Sequence, residues 1–271
     1  MRLFLSAISL FLCAQFRAHA DEPIMNMMPR WSGGWGYEFH YEYRTEDDLL
    51  LGSEARYKGF QEEVEVLHMD WVYTWKKEIR ITAKLPYVIN AEREMPNGSG
   101  GKLIQKDDGF GDLRLALPFK RYFNLDGKSG SWTFKPMVRI PLSDKDEYDF
   151  YYKEFGAGLG GGYEAETANF FFGIGTAGWV FDGDRPAELH SSVDFGYNFE
   201  TNKANGSVFW ETDLHYEDDE SKTLSTGPAF YFNHNDTIHS RVEWKFDLFD
   251  HQGILDHGNG DVLKVGIGWV F

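Results

Sequence analysis

Val262-Leu-Lys-Val-Gly-Ile-Gly-Trp-Val-Phe271 closes the chain. Leu263, Val265, Ile267, Trp269 and Phe271 share one parity; Lys264, Gly266, Gly268 and Val270 share the other. Side chains alternate across a strand with period two, so the first set forms one apolar face. A segment of about ten residues is one crossing of a membrane β-barrel. The same segment could also close a soluble β-sandwich, so the decision rests on the rest of the chain.

Reading backwards, alternating segments recur near 238–249, 222–232, 206–217, 187–199, 169–181, 154–164, 131–141, 110–122, 78–90, 63–75 and 33–45. Trp35, Tyr37, Phe39, Tyr41 and Tyr43 make the apolar face of the first, and Ile79, Ile81, Ala83, Leu85 and Tyr87 that of the third. Val242, Trp244, Phe246 and Leu248 repeat it in the eleventh. The opposite parity carries nearly all in-strand charge. Twelve strands enclose more space than these polar side chains could keep dry, so the apolar band faces lipid. The pattern therefore predicts an all-β fold, a 12-stranded antiparallel transmembrane (outer-membrane) β-barrel. Connections after even strands are mostly short. Those after odd strands include 46–62, 91–109 and the acidic 142–153, as expected for periplasmic turns and extracellular loops. Pro86, Pro118, Pro136 and Pro228 fall inside strands, where each removes a ladder hydrogen bond, so bulges or register breaks are expected there.

The N-terminus reads as a secretory leader: Arg2, an apolar run from Leu3 to Phe16, and the small-residue site Ala18-His19-Ala20. The expected division is a signal peptide 1–20, a periplasmic segment 21–31 and the barrel 32–271, in the outer membrane of a Gram-negative bacterium after cleavage near Ala20. The single cysteine, Cys13, lies within the leader, which excludes disulfide-stapled and thiol chemistry from the rest. The chain of 271 residues has a formal charge of −16. Loss of Arg2 and Arg17 makes the remainder more negative by two, a poor starting point for binding nucleic acid. An aromatic content of 17% excludes disorder. The expected surroundings are outer-membrane lipid and lipopolysaccharide.

The inward parity offers a pore lining. Glu38, His40, Glu42, His68, Asp70, His190, Asp194, Glu211, Asp213 and His215 form an acidic, His-rich arc, and Arg80, Lys84, Arg114, Lys120, Lys135 and Arg139 a basic wall. The eleventh strand alternates Arg241, Glu243, Lys245 and Asp247. Segregated charge across a low-dielectric tube sets up a transverse field that orients polar solutes. Alternatively, the walls pair and fill the tube. Gly156, Gly158, Gly160 and Gly162, with Gly173 and Gly175 on the next strand, leave bare backbone along the lumen. That strip could admit a solute, an inward-folded loop or the N-terminal segment, or serve curvature and tight packing.

Other constellations carry less. His190, Ser192 and Asp194 share a strand face, but successive same-face residues stand about 6.5–7 Å apart, too far for a relay of direct hydrogen bonds. Asp256-His257 invites comparison with barrel proteases on no firmer ground. No catalytic residue is expected. Met25, Met27 and Met28 could take Cu(I), and the acidic loop positions Asp144, Asp146, Glu147, Asp149, Glu217, Asp218, Asp219, Glu220, Asp250, Asp256 and Asp261 could hold Ca²⁺ or Mg²⁺. The ordinary readings are an incidental cluster in a tail and a solvated outer surface. No cofactor and no metal site are expected, since P-loop, Rossmann and zinc patterns are missing.

Trp31-Ser-Gly-Gly-Trp35-Gly-Tyr-Glu-Phe, Gly109-Phe-Gly-Asp112-Leu-Arg-Leu, the Gly-rich strand 155–163 and Gly266-Ile-Gly-Trp-Val-Phe271 together resemble the bacterial outer-membrane barrel family of phenol-degradation meta-pathway transporters. The resemblance implies a barrel of this size for passive movement of small organic compounds, and brings no residue-level site with it. The final strand, with Trp269 and Phe271, also resembles the C-terminal signal by which the barrel-assembly machinery recognises its clients. The functional expectation is a passive channel for small solutes. The alternatives are a structural or partner-holding barrel with a filled lumen and, third, an outer-membrane lipid hydrolase. The solute and the oligomeric state are not legible.

Overall fold

Alternating β-branched, aromatic and polar residues cannot bury one face in an isolated strand, and here they close a sheet upon itself. The structure is a computed structural model describing residues 33–51, 54–76, 78–96, 101–125, 128–142, 154–167, 169–200, 205–218, 221–252 and 255–271. The expected leader 1–20, the segment 21–31 with its methionines, and most of the acidic loop 142–153 lie outside the described residues.

Twelve antiparallel staves follow one another: β1 (Gly34–Leu51), β2 (Glu54–Lys76), β3 (Ile79–Pro96), β4 in three pieces (Lys102–Phe110, Leu113–Ala116, Phe119–Leu125), β5 (Lys128–Ile140), β6 (Gly156–Glu166), β7 (Phe170–Phe181), β8 (Glu188–Glu200), β9 (Asn205–Glu217), β10 (Lys222–Asn233), β11 (Ile238–Gln252) and β12 (Leu255–Val270). Each pairs with its neighbours in sequence. β1 pairs with β12 from Gly36 opposite Val270 upward, so the sheet has no free edge. Trp35 and Phe271 exchange backbone N–H···O bonds of 3.1 and 2.8 Å at the seam. No helix among the described residues is long and apolar enough to cross a membrane.

The outer surface carries the apolar parity. Trp35, Phe39, Ile81, Phe134, Leu159, Phe195, Trp210, Trp244 and Leu263 are all exposed there. Rings meet across strands, as Phe39 does with Trp269 at 6.1 Å. Glu38, Glu42, Asp70, Arg80, Arg139, Glu211 and Arg241 point inward and are buried. Polar inside and apolar outside inverts a soluble barrel and fits a lipid surround.

The strands run longer than the alternation suggested. β1, β2 and β3 have 18, 23 and 18 residues, so most of the expected loops 46–62 and 91–109 is hairpin. Along β2 the apolar outward row ends at Leu67. Glu65 and Glu63 follow on that face, while Val66, Val64 and Phe60 turn inward and are buried. Val64, Val66, Val88 and Ala91 form a small apolar cluster there. This reversal of polarity is what a strand does where lipid ends and water begins.

The prolines sit where the ladder is interrupted. β4 breaks at 111–112 and 117–118, facing Pro86 on β3 and Pro136 on β5. Their carbonyls accept from Gly111 N–H at 2.9 Å and Leu117 N–H at 3.0 Å, which recovers part of the lost bonding. Gly109, at φ 130°, bends the chain into the first break. Gly227 and Pro228 have no ladder partner on β11, although they keep theirs on β9.

Candidate channel lumen

Register brings the expected lining residues into rungs. Glu38 lies beside Asp70, Asp70 beside Lys84, Lys84 beside Arg114 and Arg114 beside Arg139. The lining thus runs round the barrel as acid (β1–β2), base (β3–β5), glycine (β6–β7), acid and histidine (β8–β9), uncharged small and aromatic residues (β10), then mixed charge (β11–β12). The basic wall borders the acidic arc at β2–β3 rather than only facing it.

Most charges find partners from neighbouring staves. His40 Nε2 lies 2.6 Å from Glu38 and 3.7 Å from Asp70, and Lys84 Nζ lies 2.8 Å from Asp70. Glu42 receives His68 at 2.9 Å and Lys264 at 3.1 Å. Glu211 is held by Arg241 and by Lys245 at 3.0 Å, with Asp213 also on Lys245. Lys120 donates to Glu164 at 2.8 Å. Buried charges need this, because an uncompensated one costs several kcal/mol. Glu164, Glu188, Arg185 and Lys264, essential to the pairing, were not singled out in the sequence. Each lies near a strand end or among glycines, where alternation gives a weak signal.

The glycine strip splits into two functions. A Cβ on Gly158 would stand 2.7 Å from the Trp179 ring, and one on Gly156 2.8 Å from that of Phe181. These glycines therefore seat two inward aromatic rings. Arg139 lies over both, at 4.8 Å from Trp179 and 5.0 Å from Phe181, and reaches across β6 and β7 to Glu188 on β8. Its Nη1 and Nη2 donate to the two carboxylate oxygens at 3.4 and 3.0 Å. Arg185 joins the same carboxylate, and Asp112 lies 3.9 Å from Arg139 and 3.8 Å from Arg185. Arg139 is 1% exposed. Lower on the strip, a Cβ on Gly162 would meet only backbone, at 3.3 Å or more, and one on Gly175 would meet Ser192 Oγ at 3.2 Å. Gly160 lies beside Lys135, and Gly173 beside Asp194.

Three lining charges stand apart from this pairing. Among the described residues no carboxylate pairs with Arg114 or Lys135, and no cation with Asp194. Lys135 and Asp194 flank the bare part of the glycine strip. The half of the lumen nearer the termini is tightly filled: Glu38, Thr74, Arg80, Ser131, His239 and Tyr231 are buried, and Phe171, Phe209, Ala229 and Tyr231 make a second apolar cluster. The alternation, polar on this face, concealed that cluster. Towards the other end, Lys84 points inward yet its side chain is 61% exposed, with Asp213, His190 and His215 also accessible.

His190 binds Glu188 at 3.1 Å and makes no hydrogen bond with Ser192 among the described residues, so the strand-face trio is not joined as a relay.

A closed twelve-stave barrel with an apolar belt and charged lumen defines the outer-membrane β-barrel class of fold. Among solved structures it is similar to the COG4313 outer membrane channel from Pseudomonas putida F1, with TM-score 0.72 and 11% identity over 93% of this chain and 100% of that one. It is also similar to the KdgM porin in complex with disordered oligogalacturonate (TM-score 0.50, 8% identity, 86% and 99% covered). The NanC porin gives TM-score 0.50 at 10% identity, with 86% and 98% covered. At such identities the likeness concerns the fold alone. No family model matches the sequence, and no curated protein does.

Proposed function

We propose that this chain is a passive outer-membrane channel for small solutes in a Gram-negative bacterium, seated in lipid and lipopolysaccharide by the barrel-assembly machinery. The observation that carries the reading is Lys84: an ammonium on the inward face, surrounded by barrel wall, with 61% of its side chain accessible. A charge so exposed inside a closed sheet belongs to a water-filled vestibule. The vestibule narrows towards the termini, and the bare glycine strip between Lys135 and Asp194 is the way past. Solutes would cross down their gradient, steered by Arg114, Lys135 and Asp194, which form no ion pair among the described residues. Three similar folds are a channel and two porins, which supports the reading. The suggestion of small organic or aromatic solutes rests only on the motif resemblance.

The filled terminal half favours a second reading, a barrel that does not conduct and serves structure or holds a partner. Liposome swelling with graded uncharged sugars separates the two. A channel admits the smallest sugars and excludes larger ones, and a filled barrel admits none.

A further inference from the structure

We propose that Glu188, His190 and His215 bind a divalent transition-metal ion of the Zn²⁺ class inside the lumen. The site is created by register. His190 on β8 faces His215 on β9, and one inward rung away Glu188 faces Glu217. The imidazoles lie with ring centroids 4.1 Å apart, and the ligand atoms of Glu188, His190 and His215 all fall within 4.8 Å of one another. A tetrahedral ion with bonds of 2.0–2.1 Å needs its ligand atoms about 3.3 Å apart. Small side-chain rotations close that difference without moving the strands. Nε2 of His215 makes no hydrogen bond, although Glu217 Oε1 stands 3.2 Å away. That carboxylate is placed to act as fourth ligand.

A second in-register pair shows what convergence requires. His40 faces His68 on β1–β2, but these rings lie 6.4 Å apart at 90°, and each turns to its own carboxylate. They do not share a focus; His190 and His215 do. Two imidazoles with carboxylates select Zn²⁺, Cu²⁺ or Ni²⁺ over the oxygen-seeking Ca²⁺ and Mg²⁺. Arg139 and Arg185 already hold Glu188, so the dication shares that carboxylate with two guanidiniums, and Asp112 and Glu217 balance the added charge. Affinity then rests chiefly on the two histidines. An ion there stands in the accessible vestibule and narrows it.

The test uses the full chain, refolded without a His tag, in detergent with a chromophoric zinc chelator as competitor. One Zn²⁺ should bind per barrel, unchanged by millimolar Mg²⁺ or Ca²⁺. His190→Gln and His215→Gln should each weaken it at least tenfold, while His234→Gln, at a turn of the opposite end, should not. Heat-modified gel migration establishes that each variant is folded. Absence of stoichiometric Zn²⁺ uptake by the folded wild type would overturn the proposal, as would equal affinity in wild type and both lumen variants. The readout is independent of conductance, so it stands whether or not the barrel passes solutes.

Discussion

Replacing Arg139 with Met would expose how strongly the lumen's charges hold the barrel together. Arg139 bonds both oxygens of Glu188, at 3.4 and 3.0 Å, lies over Trp179 and Phe181, and is 1% exposed. Methionine keeps the unbranched stem as far as the position of Nε but removes the guanidinium, leaving Glu188 and Asp112, both buried, with Arg185 as their remaining guanidinium. Breaking a buried pair costs about 3–5 kcal/mol. With Arg185 still present, the lower end, about 3 kcal/mol, is expected for Arg139→Met. Adding Glu188→Gln removes the stranded charge, so the double variant should recover part of the loss, with a coupling of about 2 kcal/mol in the cycle. The assay is reversible urea unfolding in phospholipid vesicles, followed by tryptophan fluorescence, with chelator present to keep metal out. A cost under about 1 kcal/mol for Arg139→Met, or a double variant equal to the sum of the singles, would refute the view that this carboxylate and guanidinium depend on each other.

Glycine substitutions should divide by position. Gly158→Leu drives a side chain into Trp179 and should destabilise by about 1–3 kcal/mol, whereas Gly162→Leu, whose Cβ meets the Ile174 carbonyl at 3.3 Å, should cost less, leave the barrel folded and reduce sugar-driven liposome swelling. Asp194→Asn and Lys135→Gln should move the reversal potential in opposite directions, the first towards anions and the second towards cations. For an ion passing about 6 Å away in water the effect is about 0.7 kcal/mol, or near threefold in permeability ratio. Deleting Phe271 removes the backbone pair with Trp35 and the terminal aromatic, so the yield of heat-modifiable, folded barrel should fall.

The twelve staves were legible because the lipid face tolerates almost no charge, and Leu263 to Phe271 or Ile79 to Tyr87 keep that rule without exception. Pro86, Pro118, Pro136 and Pro228 marked the ladder interruptions for the same reason: a missing N–H is visible in any sequence. The hairpin arms were harder. Residues 54–62 of β2 read as loop, because beyond Leu67 the outward parity turns to Glu65 and Glu63 while Val66 and Val64 turn inward, a strand whose polarity has reversed above the lipid. Pairing inside the lumen depends on register and on long side chains crossing strands, as Arg139 does over Gly156 and Gly158 to Glu188. No one-dimensional pattern encodes that reach. The meeting of His190 with His215 was hidden likewise, since 24 residues of chain separate them and only the β8–β9 register makes them neighbours.

Single-channel recording of the refolded wild-type barrel in a planar bilayer bears most directly on the channel reading. A wet vestibule with a glycine-lined constriction should give discrete, small conductance steps in 1 M KCl, diminished by Gly162→Leu. Silent bilayers, with the inserted barrel shown to be folded by heat-modified migration, would contradict a conducting lumen.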